Sequence, residues 1–332
     1  MRTETERRRR TLGGSGTDVG ALGFGCWAIG GEWSTPDGGP LGWGVVDDDE
    51  SVAAVRRALD LGVTFFDTAD VYGAGHSERV LGRALAGRRD EVVVATKWGN
   101  LFDERTRTMD GADRSPEYAR RALVASLRRL GTDRIDLYQL HLGDTPLAEA
   151  AELRDACEEF VAEGLIRSYG WSTDDPERAA LFAAGQHCAA VQHACNVLED
   201  APGMLDLSEE QGLISVIRSP LAMGLLAGAR GRSPRADAGD IRSTPPAWLS
   251  WFEEGGVPSE HWVKRVEAVR EVLTADGRTL AQGALGWLWA RSGRTVPIPG
   301  FRTVAQAEEN AAALTCGPLR HGQMEEIAGL LA

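Results

Sequence analysis

The chain has 332 residues, 43% of them hydrophobic and 26% charged, with 36 basic residues against 49 acidic ones and a net charge of −13. That composition carries a large folded core and excludes disorder of the whole chain. The acidic balance argues against a general nucleic-acid or anionic-membrane binder, because both need a positive face. Only two of the basic residues are lysines, Lys97 and Lys264, so a position that keeps lysine in so arginine-rich a chain invites a chemical reason.

Residues 1–10 are charged throughout and lack an apolar stretch, so they are not expected to be a secretory signal. A strand is expected within residues 21–26, followed by an amphipathic helix over 49–61. Residues 63–67 (VTFFD) read as a buried strand, and 77–86 as a helix with Val80, Leu81, Ala84 and Leu85 on one face. Residues 91–97 (EVVVATK) form the next strand. The helix over 115–130 is the clearest: Ser115 can cap it, Pro116 suits its first position, Glu117 favours its positive end and Gly131 stops it. Strands at 135–141, 166–172, 189–196 and 213–219 then alternate with helices at 146–163 and 176–184. Helices at 259–275, 279–291, 304–314 and 321–331 flank a last strand at 295–299.

Near-continuous apolar strands separated by helices mean parallel βαβ crossovers. The count reaches eight, the number that closes a (β/α)8 TIM barrel, and a single α/β domain over 1–332 is expected. The competing open sheet would carry G-x-G-x-x-G after its first strand if it held a dinucleotide; Gly23, Gly25 and Gly30 lack that spacing. Residues 226–258 form one long excursion, rich in Gly, Pro and Arg (Arg230, Arg232, Arg235, Arg242), that suits an anionic substrate or is simply solvated.

The five cysteines, Cys26, Cys157, Cys188, Cys195 and Cys316, are odd in number and form no C-x-x-C pair, which fits a reducing cytoplasm. The longest charge-free stretch, 181–198, holds two Gln, two His and one Asn and is rejected as a membrane span. His187, Cys188, His193 and Cys195 show neither zinc-finger spacing nor H-E-x-x-H, so no metal site is expected.

In a barrel the active site lies at the C-terminal ends of the strands. Asp67, Lys97 and His141 end their strands, and Tyr72 lies just past Asp67. Singly, each has an ordinary explanation as a cap, a solvated cation or a core histidine. Together they form a proton donor. A neighbouring ammonium lowers the pKa of a phenol, a carboxylate keeps that ammonium charged, and an imidazole orients a carbonyl oxygen.

The runs FFDTADVYGAGHSERVLGRAL, VVVATKWG and IDLYQLH resemble the aldo-keto reductase family, whose mark is an Asp-Tyr-Lys-His tetrad in that order on a (β/α)8 barrel. RRRTLGGSGTDVGALGFGCWAIGG is similar to the family's N-terminal hairpin, which caps the barrel bottom, and its first strand. SPLAMGLLAG and IPGFRTVAQAEEN resemble its two cofactor segments. The similarity runs from about residue 8 to 315 and implies a catalytic tetrad of Asp67, Tyr72, Lys97 and His141, with Tyr72 as general acid.

The resemblance also implies an NADP(H) site. Gly25, Cys26, Trp27, Asp67, Ser172 and Gln192 match its nicotinamide end, and Ser219, Leu221 and Gly224 lie in the segment along the cofactor. Thr173 stands where the family usually has asparagine. Arg218 stands where many members place an aromatic, which implies weaker binding of the oxidised, cationic cofactor than of the reduced one. Arg302, with backbone N–H groups free after Gly300, is expected to hold the 2′-phosphate. Gln306, Glu309 and Asn310 match contacts to the adenine end. Trp27, Trp33 and Trp98 are expected to wall the substrate, while Trp248 and Trp251 either cover it or anchor the long loop.

The function so implied is NADPH-dependent reduction of an aldehyde or ketone, with a small-molecule carbonyl compound as partner, no nucleic acid and no membrane. The alternative is a regulatory, redox-sensing NADP(H)-binding subunit with little turnover. No feature of the sequence specifies an oligomeric state or one substrate.

Overall fold

The structure is a computed structural model that describes residues 9–13, 16–228 and 236–332. It begins with a hairpin, β1 (Arg9–Leu12) and β2 (Thr17–Gly20), followed by β3 (Gly23–Gly25), β4 (Phe65–Asp67) and β5 (Val93–Trp98). An outlying hairpin, β6 (Asn100–Asp103) and β7 (Thr108–Ala112), precedes β8 (Ile135–Leu140), β9 (Ile166–Ser172), β10 (Cys188–Ala194) and β11 (Ile214–Arg218). A two-residue pair, β12 (Phe252–Glu253) and β13 (Val257–Pro258), and then β14 (Thr295–Pro297) complete the strands. The helices are α1 (Asp48–Asp60), α2 (His76–Leu85), α3 (Pro116–Leu130), α4 (Leu147–Ala162), α5 (Pro176–Ala183), α6 (Pro202–Gln211), α7 (Glu260–Thr274), α8 (Leu280–Arg291), α9 (Val304–Cys316) and α10 (His321–Leu331).

Eight parallel strands hydrogen-bond in the order β14-β11-β10-β9-β8-β5-β4-β3. The ends meet where the Gly25 N–H donates to the Pro299 carbonyl at 3.1 Å, beside a parallel bridge between Gly25 and Gly300. This is the expected (β/α)8 barrel. Glycine permits the closure: a Cβ on Gly25 would stand 2.8 Å from the Ile298 carbonyl oxygen. Trp289 of α8 adds a strut, its indole N–H bonding the Ala21 carbonyl at 2.8 Å.

Alternation along each strand sorts side chains into two layers. Phe65, Val93, Ala95, Leu137, Ala190, Ile214 and Val216 fill the barrel interior. Leu12 and Val19 of the hairpin plug that interior from below. Phe24, Phe66, Val94, Trp98, Tyr138 and Trp171 face outward against the helices. Helix α3 starts and stops as its sequence requires: the Ser115 hydroxyl accepts from the Tyr118 N–H at 3.1 Å, and Gly131 takes φ 65°. Helix α8 is buried nearly all round and is held by a Thr279–Gln282 capping box. Among the described residues no helix is long and apolar enough to cross a membrane.

Above the strand ends, the long loop meets the first loop of the barrel. The Gly44 N–H donates to the Gly239 carbonyl and the Ile241 N–H to the Gly42 carbonyl, 3.0 and 2.8 Å apart. Arg242 is not a free surface cation. It pairs with Asp240 and lies over the Trp43 ring, 4.9 Å from its centroid. Arg230, Arg232 and Arg235 lie outside the described residues.

Candidate active site

The inward column of each strand continues upward from the packed interior to a polar residue. After Phe65 comes Asp67; after Val93 and Ala95 comes Lys97; after Leu137 come Gln139 and His141; after Val216 comes Arg218. The period of two therefore brings these side chains together above one apolar plug. They surround a cavity of about 1790 Å³ that Tyr72, His141 and Gln192 help to line.

Lys97 is fully buried and spends its three protons on three partners. Nζ stands 2.5 Å from Asp67 Oδ1, 2.8 Å from the Thr68 carbonyl and 3.3 Å from Tyr72 Oη. The other oxygen of Asp67 accepts from Gln139 Nε2 at 3.0 Å and Gln192 Nε2 at 2.8 Å. Burial works against charge on Lys97, but Asp67 and Tyr72 outweigh it and hold the lysine pKa above its ordinary value. Burial raises the Tyr72 pKa, Lys97 pulls it down and Asp67 pushes it up, with a net upward direction. The expected lowering by the ammonium is therefore present but outweighed, and the phenol keeps its proton at neutral pH. His141 is held well below its ordinary pKa by burial and by the charges of Lys97 and Arg218, so its imidazole is neutral. Its Nδ1 is buried with no hydrogen-bond partner among the described residues.

Tyr72 sits on the turn between β4 and α2. Ser77 Oγ secures that turn by donating to the Cys26 carbonyl at 2.7 Å. Trp27 stacks on the Tyr72 ring, centroids 5.8 Å apart and planes at 21°, and His141 meets it edge-on at 5.6 Å. Trp33 packs beside Tyr72 with Leu41, Phe102 and Met109.

Trp98 is a correction. It neighbours Lys97 but points to the opposite face, where it stacks on Tyr138 at 4.2 Å, fully buried behind the sheet. It is no wall of the cavity. Cys26 likewise follows Phe24 to the outer layer, so its side chain lies away from the cavity that Gly25 and Trp27 line. Both loop tryptophans line the cavity, Trp251 buried as an anchor and Trp248 61% exposed.

The expected cofactor residues separate similarly. Ser172, Thr173, Gln192 and Arg218 line the cavity, as do Ser219, Leu221 and Gly224. Along that last segment Ser219, Ala222, Met223 and Gly224 all have positive φ, between 46° and 104°, an uncommon backbone of the kind retained at binding sites. The Thr173 hydroxyl is already committed: it donates to the Gly143 carbonyl at 2.9 Å and accepts from the Asp175 N–H. Arg218 forms an ion pair with Asp174, whose other oxygen accepts from the Ala194 N–H at 2.8 Å. That pairing offsets the guanidinium charge and shrinks the penalty expected against an oxidised cofactor.

Gly300, Arg302 and Gln306 line the same cavity; Glu309 and Asn310 do not. Four of the backbone amides expected to be free there are taken. Gln306 Oε1 accepts from the Arg302 and Thr303 N–H groups, Thr303 Oγ1 from the Gln306 N–H, and Glu50 Oε1 from the Val304 N–H at 2.9 Å. Arg302 donates to the Trp43 carbonyl at 2.8 Å.

The two histidines weighed as ligands have other partners. His187 pairs with Glu158 at 2.5 Å, and His193 lies between Ser215 Oγ and the Ala194 carbonyl. No group of three or more His, Cys, Asp or Glu suited to a metal occurs among the described residues.

Five functional neighbours escaped the sequence reading. Gln139 carried a usable signal, since it shares the inward face of IDLYQLH with His141. Trp43, Glu50, Asp70 and Asp174 carried none, because their importance comes from what other segments place beside them. Asp70 is buried two residues before Tyr72 with neither carboxylate oxygen partnered among the described residues. Burial and Glu78 push its pKa well up, with Arg129 opposing.

A sequence profile of the aldo/keto reductase family matches residues 21–332. The chain is similar to "Aldo-keto reductase yakc [NADP(+)]" of Schizosaccharomyces pombe, 31% identical over 308 residues that cover 89% of this chain and 84% of that protein. Its structure resembles the glycerol dehydrogenase AKR11B4 from Gluconobacter oxydans, with TM-score 0.80, 27% identity and coverage of 98% and 95% of the two chains. It also resembles an aldo/keto reductase from Klebsiella pneumoniae in complex with NADP and acetate, with TM-score 0.71, 26% identity and coverage of 98% and 95%.

Proposed function

The chain belongs to the aldo/keto reductase family, and on that premise we propose that it is an NADP(H)-dependent oxidoreductase that reduces an aldehyde or ketone to an alcohol, with Tyr72 as general acid. The observation that carries the reading is the buried chain Asp67–Lys97–Tyr72, linked at 2.5 and 3.3 Å and opening beside His141 on one cavity.

The cavity walls fit the cofactor. Gln192 commits its Nε2 to Asp67 and Gln139 and leaves Oε1 to accept from a carboxamide, with Ser172 beside it on the wall. Arg302, on the same wall, suits phosphate. The Schizosaccharomyces pombe relative and the Klebsiella pneumoniae structure support NADP(H) by their names. When bound, NADPH supplies the hydride. Tyr72 Oη passes its proton to the substrate oxygen, and Lys97 stabilises the phenolate left behind. Asp67, itself steadied by two glutamine amides, keeps Lys97 charged and in place. Neutral His141 donates to the carbonyl oxygen without carrying a competing charge. The reading takes the chain as one barrel domain. A cytoplasmic setting goes with it, the five cysteines being free.

Replacing Tyr72 by Phe is expected to lower carbonyl-dependent NADPH oxidation by about 10²–10⁴-fold, while fluorescence titration gives an unchanged NADPH Kd. Near-native turnover in the variant would overturn the assignment. Cofactor binding by the wild type without multiple turnover on any of a panel of aldehydes and ketones would favour the regulatory alternative.

A further inference from the structure

At the Arg302 end of the cavity, the first turn of α9 already holds an anion supplied by the chain. Glu50 belongs to α1, lines the cavity and accepts from the Val304 N–H at 2.9 Å. The amides of Arg302, Thr303 and Gln306 are engaged by the Gln306 and Thr303 side chains. The Val304 amide is thus bonded to a charged group from a different helix, immediately beyond the one cavity-lining arginine of this turn.

We propose that Glu50 sets the cofactor preference of this site: its carboxylate stands against the 2′-phosphate of NADP(H) and accepts the ribose 2′-hydroxyl of NAD(H). The proposal rests on the reading that the dinucleotide lies along this cavity with its adenosine end at Arg302. Two physical facts support it. A phosphate entering here brings a dianion to a carboxylate, so either Glu50 gives up its bond to Val304 or the two anions repel across a few ångströms. A ribose hydroxyl is a donor, and a carboxylate at a helix start is a good acceptor for it, the device that dinucleotide-binding sheets use to select NAD. Arg302 favours the phosphate and Glu50 opposes it, so the site discriminates weakly between the two cofactors.

Glu50→Gln isolates the charge, because the amide oxygen still accepts from Val304 and keeps α9 capped. Dissociation constants for NADPH and NADH are measured by quenching of tryptophan fluorescence, and thermal unfolding checks that the variant is folded. The expected result is NADPH binding tightened about tenfold, with NADH binding unchanged or a few-fold weaker. Glu50→Ala should move the ratio in the same direction. An NADPH-to-NADH ratio unchanged in both folded variants overturns the proposal and leaves the functional reading standing. A wild-type protein that binds neither dinucleotide overturns both.

Discussion

Lys97 and Lys264 show how differently one residue type is used. Lys264 lies on α7 with its side chain 73% exposed and pairs with Glu260 one turn earlier, a role any cation fills. Lys97 is enclosed, with one partner for each ammonium proton. A planar, longer guanidinium cannot meet that geometry. Lys97→Arg is therefore expected to reduce kcat by at least about 10²-fold, whereas Lys264→Arg leaves steady-state rates and the unfolding midpoint unchanged. Asp70 makes a prediction about pH. Its pKa is raised on folding by burial and by Glu78, so the folded protein holds a proton that the unfolded chain releases near pH 4. Stability is then greatest below the unfolded pKa and declines as pH rises toward the folded one. Asp70→Asn does not titrate. Its stability relative to the wild type should grow between pH 5.5 and 7.5, by up to about 1.4 kcal/mol per unit. Urea unfolding at the two pH values measures this, and a constant gap would refute it.

At the scale of elements, the turn carrying Tyr72 is set by close backbone approach. Gly73 has φ 61°, and a Cβ there would lie 2.0 Å from the Gly30 carbonyl oxygen. Gly73→Ala must push two turns apart and move the tyrosine between them. It is expected to cost about 1–3 kcal/mol of stability and most of the turnover, seen by comparing unfolding midpoint with kcat in one preparation. Native turnover in that variant would mean that Tyr72 is placed by something other than this contact. The regular elements were legible for local reasons. Strands are runs of β-branched and aromatic residues, and α3 carries its own cap and stop. The hairpin β6–β7 was not legible, because its residues are half-buried or exposed and lack apolar alternation.

At the scale of the whole molecule, what closes the barrel and its mouth is long-range. Gly25 meets Gly300, Trp289 reaches Ala21, and the loop around Trp43 pairs with residues 239–241. The sequence by itself determined the barrel and the family, and it singled out Asp67, Tyr72, Lys97 and His141, which the structure brings together. Period two assigns each strand residue to one of two faces, and ordered motifs locate the strand ends. It could also have placed Trp98 and Gln139, since the same alternation sends one out and the other in. Only the tertiary structure decided which partner each side chain meets there: Asp174 for Arg218, Gly143 for Thr173, Glu50 for Val304. A periodic pattern fixes direction within one element. A contact between elements dozens or hundreds of residues apart depends on how the whole barrel closes, and no local pattern encodes that.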